Sequence, residues 1–351
     1  MARSADAHNV REGGFPSGPA AGLTVTAMTT ARLVPVTQEM DGDELDAEDA
    51  WEELRKVGVR RLAVDAFRRF RYGDGFSSSR ALALQASLAV VPFMLALTGL
   101  VGDLDRERPA RVLAATIAAV SPGSGSADAL ARAMRSEQTE RAGEIALWLG
   151  LVFALASMTT AMAQIERGSN RIYGIRRDRP ALWKYGRAAV LTALLALPVG
   201  IGFLLLVAGS AFSEAMGRFY GWDEGLIETW NIARWPAGVL LLVLTIAVIL
   251  DHSPRRRQPS LTWLAVGSGV AVVANLVATG ALAVYVSQSP SFGNVYGPLA
   301  GIFALLLWSL LSSIALFYGT ALCAQLEAYR AGLPDPVHAD PGRPHGVTVD
   351  D

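Results

Sequence analysis

From Pro298 to Cys323 the chain runs without an Asp, Glu, Lys or Arg, and Glu327 and Arg330 are the first charges to follow. A helix satisfies its own backbone polar groups, and about 20 apolar residues take it across a bilayer, so this stretch predicts a membrane span. The segment before it, from Ser291 to Gly297, is small, polar and aromatic and carries no charge. Five earlier stretches repeat the uncharged pattern. Together they predict spans at about 81–102, 143–165, 187–212, 234–250, 261–286 and 298–323.

The 52% hydrophobic and 18% charged residues of the 351-residue chain are strongly partitioned, with arginine concentrated in the connections. Such partition predicts a membrane bundle rather than one large soluble core. The net charge of -1 gives no global basic excess, so nucleic acid is not an expected partner. A single cysteine, Cys323, excludes a disulfide framework and a cysteine metal site, and reads as a small apolar core residue.

Three regions follow. Residues 1–49, ending in the acidic run Asp41 to Asp49, are expected to be a disordered tail. Residues 50–330 form the membrane domain, and residues 331–351, rich in Pro, Gly and Asp, form a second disordered tail. No apolar core of signal-peptide length follows the first arginines. A helix is predicted from Trp51 to Tyr72, with Val59, Leu62, Ala63, Ala66, Phe67 and Phe70 on one face and Arg60, Arg61, Arg68, Arg69 and Arg71 around the rest. Such a helix suits the headgroup region of an anionic leaflet, or equally a place against the protein's own membrane-surface end.

Loop charge predicts the orientation. Arginine and lysine crowd the approach to the first span, the second loop (Arg167, Arg171, Arg176, Arg177, Arg179, Lys184) and the fourth (Arg255, Arg256, Arg257). By the positive-inside rule these regions and both termini are cytoplasmic. The first loop is long and balanced in charge. Its apolar stretch Val112 to Val120 is too short to span and is read as re-entrant or interfacial; residues 127–135 read as a further amphipathic turn. The expected fold is therefore all-α: a polytopic membrane protein with about six transmembrane helices, an interfacial N-terminal helix and a small outer helical cap.

Three stretches carry a resemblance. One is Asn170–Arg171–Ile172–Tyr173–Gly174–Ile175, followed by Arg179–Pro180 and Trp183–Lys184. The second is Ser291–Phe292 with Tyr296–Gly297 and Leu307–Trp308, and the third is the alanine-rich approach from Ala81 to Pro92. Over roughly residues 55 to 330 the chain resembles the YihY/BrkB family of bacterial inner-membrane proteins, formerly labelled ribonuclease BN. The resemblance implies a multi-pass protein of the bacterial inner (plasma) membrane with an export or lipid-handling role at the envelope. Where the family tends to Gly-Ala-Glu-Leu-Asn near the end of the last helix, this chain reads Gly319–Thr320–Ala321–Leu322–Cys323, with its nearest acid, Glu327, several residues later.

The nuclease label finds no chemistry in the sequence. His8, His252, His338 and His345 have no ligand-like partner at short spacing, and no catalytic set, metal site or cofactor motif is visible. Gly293, Gly297 and Gly301 lack the Lys-Ser/Thr of a phosphate loop and read as helix-packing positions or, second, as part of a substrate path. The spans are read as free of deep Asp, Glu, Lys or Arg, which argues against a pump with a buried carboxylate. Gln85, Gln164 and Asn275 either converge on a cavity or pair between helices.

The leading expectation is a transporter or exporter-like protein that moves an amphipathic or lipid-like envelope substrate, with membrane lipids as its surroundings and partners. Gln85, Asn275, Asn294 and Tyr296 are the path candidates; Asn170, Arg171, Tyr173, Arg179 and Trp183 shape the cytoplasmic mouth. A non-transporting scaffold that organises envelope partners is the alternative. Nothing in the sequence sets an oligomeric state.

Overall fold

A computed structural model describes residues 32–39, 45–103, 108–120, 139–288 and 300–340. Its elements are ten helices, α1 (Ala47–Val57), α2 (Val59–Tyr72), α3 (Gly75–Asp103), α4 (Arg108–Val120), α5 (Thr139–Ile172), α6 (Ala181–Leu206), α7 (Gly209–Tyr220), α8 (Glu224–His252), α9 (Leu261–Gln288) and α10 (Ala300–Arg330). Two-residue strands at Arg32–Leu33 and His338–Ala339 are the only strands among the described residues. Residues 32–338 form one compact unit. The tails at 1–31 and 341–351, and the turn expected at 127–135, lie outside the described residues.

Six helices are long and apolar enough to cross a membrane, in α3, α5, α6, α8, α9 and α10. Each packs on the next in chain order, and α10 returns onto α3 to close the series. The α3–α5 seam is made of small residues. Ala89, Ala96 and Ala154 are buried, and a Cβ on Gly150 would collide with the backbone of Ala96. Small residues bring helices close where lipid supplies no hydrophobic drive. The opposite faces carry large exposed apolar side chains, among them Val91, Val152, Leu194, Leu197, Leu240 and Val277. Such a circumference requires lipid around it.

The helices outrun the apolar windows at one end. The expected spans 81–102, 187–212, 143–165 and 298–323 become helices that begin at Gly75 and Ala181 or continue to Ile172 and Arg330. These extensions are at the arginine-rich end, and they carry Glu166, Lys184 and Glu327 into the packed interior. The buried charges thus lie not deep in the expected spans but in the helix extensions that an apolar window does not register.

Two further differences have local causes. The helix expected from Trp51 to Tyr72 is two helices, broken at Gly58 with φ +84°. Asp46 starts α1 four residues before that boundary, with its carboxylate accepting from Glu48 N–H (2.8 Å) and Asp49 N–H (3.1 Å). The third span ends at Leu206, and after Val207 and Ala208 the separate helix α7 begins and packs on α4 at the other end of the bundle.

The buried face of α2 is Leu62, Ala66 and Phe70, with Asp65 and Arg69 beside them. Leu62 and Ala66 join Leu45, Ala50, Leu250, Trp263, Leu264 and Leu326 in one core cluster; Phe70 joins Ile172, Tyr173, Phe317 and Ala324 in another. The apolar stripe of the N-terminal helix thus serves the protein's own end. Val59, Val64 and Phe67 remain exposed among Arg60, Arg61, Arg68 and Arg71.

Candidate functional site

The Asn170–Gly174 sequence builds the centre of the arginine-rich end. Gly174 adopts φ +79°, its N–H donates to Arg171 O (3.1 Å), and Ile175 N–H donates to Asn170 O (2.8 Å). This paired closure is what a left-handed glycine provides after a helix. Space is limiting as well, since a Cβ on Gly174 would lie 2.5 Å from Pro35 O. Thr37 N–H donates to Tyr173 O at 3.1 Å, so residues 35–39 form a strap across the turn. Gly174→Ala is expected to cost about 1–2 kcal/mol in backbone strain alone. It should also loosen the strap, seen as faster amide exchange at Thr37 and a lower unfolding temperature.

Beneath the strap lies a buried charged cluster. Glu327, fully buried near the end of α10, meets Arg256 Nη1 at 2.6 Å through Oε2. Its Oε1 accepts from the Tyr173 hydroxyl at 3.0 Å. Gln258 Oε1 also lies 3.2 Å from that hydroxyl. One phenolic proton cannot serve two acceptors, and a half-turn of the amide would let Gln258, whose Nε2 is buried without a partner, donate instead. The Arg256 guanidinium stacks over the Tyr173 ring, 4.7 Å from its centroid. Arg69, also fully buried, donates from Nη1 to Thr37 Oγ1 (2.9 Å) and Ala324 O (2.6 Å), and from Nη2 to Pro35 O (3.2 Å).

The electrostatics follow from one carboxylate serving two guanidinium groups. Burial lowers the Arg69 pKa to about 10, still charged at neutral pH, with attraction to Glu327 opposing the shift. Burial also works against the Arg256 charge, but the adjoining Glu327 outweighs it and holds this group above the usual arginine value. The Tyr173 hydroxyl is pushed well above its ordinary range by burial and by the neighbouring carboxylate.

A second network joins the loop after α5 to the loop after α8. Asn170 donates from Nδ2 to Asp178 Oδ1 (3.0 Å) and accepts from Arg255 N–H (2.7 Å). Asp178 also meets Lys184 Nζ at 3.1 Å and Arg167 Nε at 3.3 Å. Burial raises the Asp178 pKa, but bonds from Asn170 and Lys184 prevail and hold it below the usual carboxylate value. Arg179 donates to Ser253 O (3.3 Å) and Pro254 O (3.0 Å) and pairs with Glu166 at 3.1 Å without hydrogen-bond alignment. Asn170→Ala leaves Asp178 and Arg255 N–H each short of a partner, an expected loss of about 1–3 kcal/mol readable as a lower unfolding temperature in detergent.

Of the residues singled out from the sequence, Asn170, Tyr173 and Arg179 come together here, and Arg171 lends its carbonyl to the same turn. Trp183, 76% exposed on the first turn of α6, faces away from the network. Gln85 and Asn275 do not join it. Asn275 Oδ1 accepts from Ser312 Oγ (2.7 Å), while Gln85 Oε1 is buried without a partner. Asn294 and Tyr296 lie outside the described residues. Other polar groups within the spans pair locally, Ser87 with Ser309 (3.0 Å) and Trp308 Nε1 with Thr279 (3.1 Å).

Sequence reasoning missed Arg69, Arg256 and Glu327 as a unit. Arg256 sat in a run that topology already explained, and Glu327 sat beyond the apolar window. The one available signal was Glu327 itself, a lone acid ending a long uncharged helix.

The six-span ring with a charged cluster sealed at one end defines a polytopic helical membrane protein. The chain matches the Virulence factor BrkB family over residues 66–342 and belongs to it. A ribonuclease-like protein of Bacillus subtilis, YfkH, is 24% identical over 271 residues, covering 77% of this chain and 96% of that protein. A UPF0761 membrane protein of Chromohalobacter salexigens is 27% identical over 274 residues, 78% of this chain and 64% of its own length. One from Pseudomonas paraeruginosa is 29% identical over 202 residues, 54% of this chain and 46% of that protein. The chain thus spans nearly all of YfkH but less than two thirds of these two membrane relatives. No solved structure matches it.

Proposed function

We propose that this protein moves an amphipathic, lipid-like envelope molecule within or across the bacterial inner membrane, taking it up at the arginine-rich, cytoplasmic end. The observation that carries this reading is the outer face of α2. There a cavity of about 680 Å³ is lined by Val59, Val64, Arg60, Arg61 and Arg68 together with Asp65, Pro334 and Asp335; Asp65 pairs with Arg68 at 3.3 Å, and Arg60 keeps the lining net positive. Exposed apolar side chains interleaved with arginines suit an anionic headgroup and the start of its acyl chain together. The family and the lipid-facing circumference are consistent with it. Gln85, with its unpaired buried oxygen, and Asn275 remain the candidate path residues, with Asn294 and Tyr296 before α10. Asn170, Arg171, Tyr173, Arg179 and Trp183 remain the candidates for the cytoplasmic mouth.

The test is movement of fluorescent anionic and zwitterionic lipid tracers in proteoliposomes. The wild-type chain is compared with Gln85→Leu, Asn275→Leu and an Arg60/Arg61/Arg68→Gln variant. Movement above empty vesicles that drops at least several-fold in the arginine variant supports uptake at α2; no movement of any tracer sinks the reading. A second reading, a scaffold for envelope partners, draws on the pairing of Asn275 with Ser312, Ser87 with Ser309 and Thr279 with Trp308, which leaves few free polar groups in the spans. That reading expects no tracer movement.

A further inference from the structure

Arg69 and Arg256 share an arrangement that neither topology nor the proposed path accounts for. A guanidinium group grips a phosphate-like anion best through the edge formed by Nε and Nη2, two parallel donors matching two oxygens. In both residues Nε is buried without a partner. In both, Nη2 is held by a backbone carbonyl of the strap, Pro35 O for Arg69 and Gln38 O for Arg256, each at 3.2 Å. The strap also brings a carboxylate, with Glu39 Oε1 3.4 Å from Arg257 N–H. Two buried cations face one buried anion, Glu327, so the cluster holds a surplus positive charge. A second cavity, of about 200 Å³, opens onto Arg69 between Thr37 of the strap and Ala328, Gly332 and Pro334, with Asp335 and His338 also in its lining. It has room for a group far larger than a water molecule.

We infer that Arg69 and Arg256 form a site for a phosphate-class anion, and that residues 35–39 occupy it as a stand-in, offering carbonyl oxygens where phosphate oxygens would bind. Entry of the anion swings the strap outward. Each arginine exchanges one carbonyl for two charged oxygens and gains a partner for Nε, and the surplus charge is neutralised. The Tyr173 ring beneath Arg256 and the Glu327 carboxylate keep that guanidinium oriented while the strap moves. The ligand is an inorganic phosphate or the phosphate of a lipid headgroup arriving along α2. This site does not depend on the transport reading, since it is defined by binding alone.

The experiment uses the full chain in phosphate-free detergent, titrated calorimetrically with inorganic phosphate, and in parallel the chain in nanodiscs with and without phosphatidic acid. Hydrogen exchange is followed at residues 34–39. Binding is expected to speed exchange at Thr37, whose N–H is otherwise held by Tyr173 O, and Arg69→Gln should abolish both effects. Thr37→Ala removes one of the strap's two bonds to Arg69, that of its hydroxyl, and should tighten anion binding about tenfold, the worth of one hydrogen bond to a charged group. This variant decides the matter even where Arg69→Gln fails to fold, because a merely structural strap predicts weaker folding and no gain in binding. Response to inorganic phosphate assigns a soluble anion; response only in phosphatidic acid nanodiscs, with the same variant pattern, assigns a lipid headgroup. No strap release with either probe, or no tightening in Thr37→Ala, overturns the inference.

Discussion

Replacing Glu327 with alanine is expected to destabilise the protein by about 3–5 kcal/mol, the usual cost of breaking a buried ion pair by removing one partner. The side chain is fully buried and pairs with an Arg256 whose own side chain is only 3% exposed. Its loss leaves Arg256 and Arg69 without their buried counter-charge and leaves the Tyr173 hydroxyl with Gln258 as its side-chain partner. The expected readout is a large fall in the unfolding temperature in detergent, or loss of the folded peak in size-exclusion chromatography. A double variant, Glu327→Leu with Arg256→Met, removes both charges and should recover a large part of the loss, because an apolar pair of similar volume is often no worse than the ion pair it replaces. Equal instability of single and double variants would show that Glu327 acts through packing and not through charge.

The second large effect is expected from a single methyl group at Gly267. A Cβ there would collide with Cys323 Sγ and lie 2.6 Å from Gly319 O, while one on Gly319 would lie 2.6 Å from Gly267 O. The helices α9 and α10 touch backbone to backbone at this crossing. Gly267→Ala therefore forces the two apart, costing about 1–3 kcal/mol or more as overpacking of a tight contact. Cys323→Ala in the same chain should not rescue it, because the carbonyl contact persists. Gly269→Ala, where the added Cβ meets nothing within 4 Å, is the matched control. It should leave stability unchanged or raise it by up to about 1 kcal/mol, as alanine in a helix interior does. Thermal unfolding of the three variants in one detergent checks this.

The bundle was legible because its physics is local. A charge-free run of membrane length is visible residue by residue, and six such runs become six spans. Positive loops likewise mark one end as distinct. The ends of the helices were less legible, because α3, α5, α6 and α10 continue past the apolar stretch on polar residues stabilised by neighbours that sequence spacing does not reveal. The break between α6 and α7 falls at Val207 and Ala208, which carry no turn chemistry. At the site, the Asn170–Gly174 motif drew attention for its resemblance, and its physical meaning is now specific: Asn170 links two loops, Tyr173 meets Glu327, and Gly174 turns the chain under the strap. The role of Glu327 was not legible because its partners come from other segments, and a pattern along the chain cannot show who faces a lone acid. Gln85 and Asn275 were equally visible as polar residues in apolar runs, yet only the structure separates the paired amide from the unpaired one.

The cluster has a consequence for how the protein is made. Arg69 donates to the carbonyl of Ala324, 255 positions further on, and Tyr173 waits 154 positions for Glu327. At roughly 5–20 residues per second of synthesis, Arg69 has Pro35 and Thr37 behind it but lacks the Ala324 carbonyl for about 13–50 seconds. Over the last 71 positions, from Arg256 to Glu327, both buried cations of the cluster have been made and its carboxylate has not. The last helix to emerge delivers Glu327, and with it the condition under which the strap, the loop arginines and Tyr173 settle. The final span is thus the clasp of the assembly.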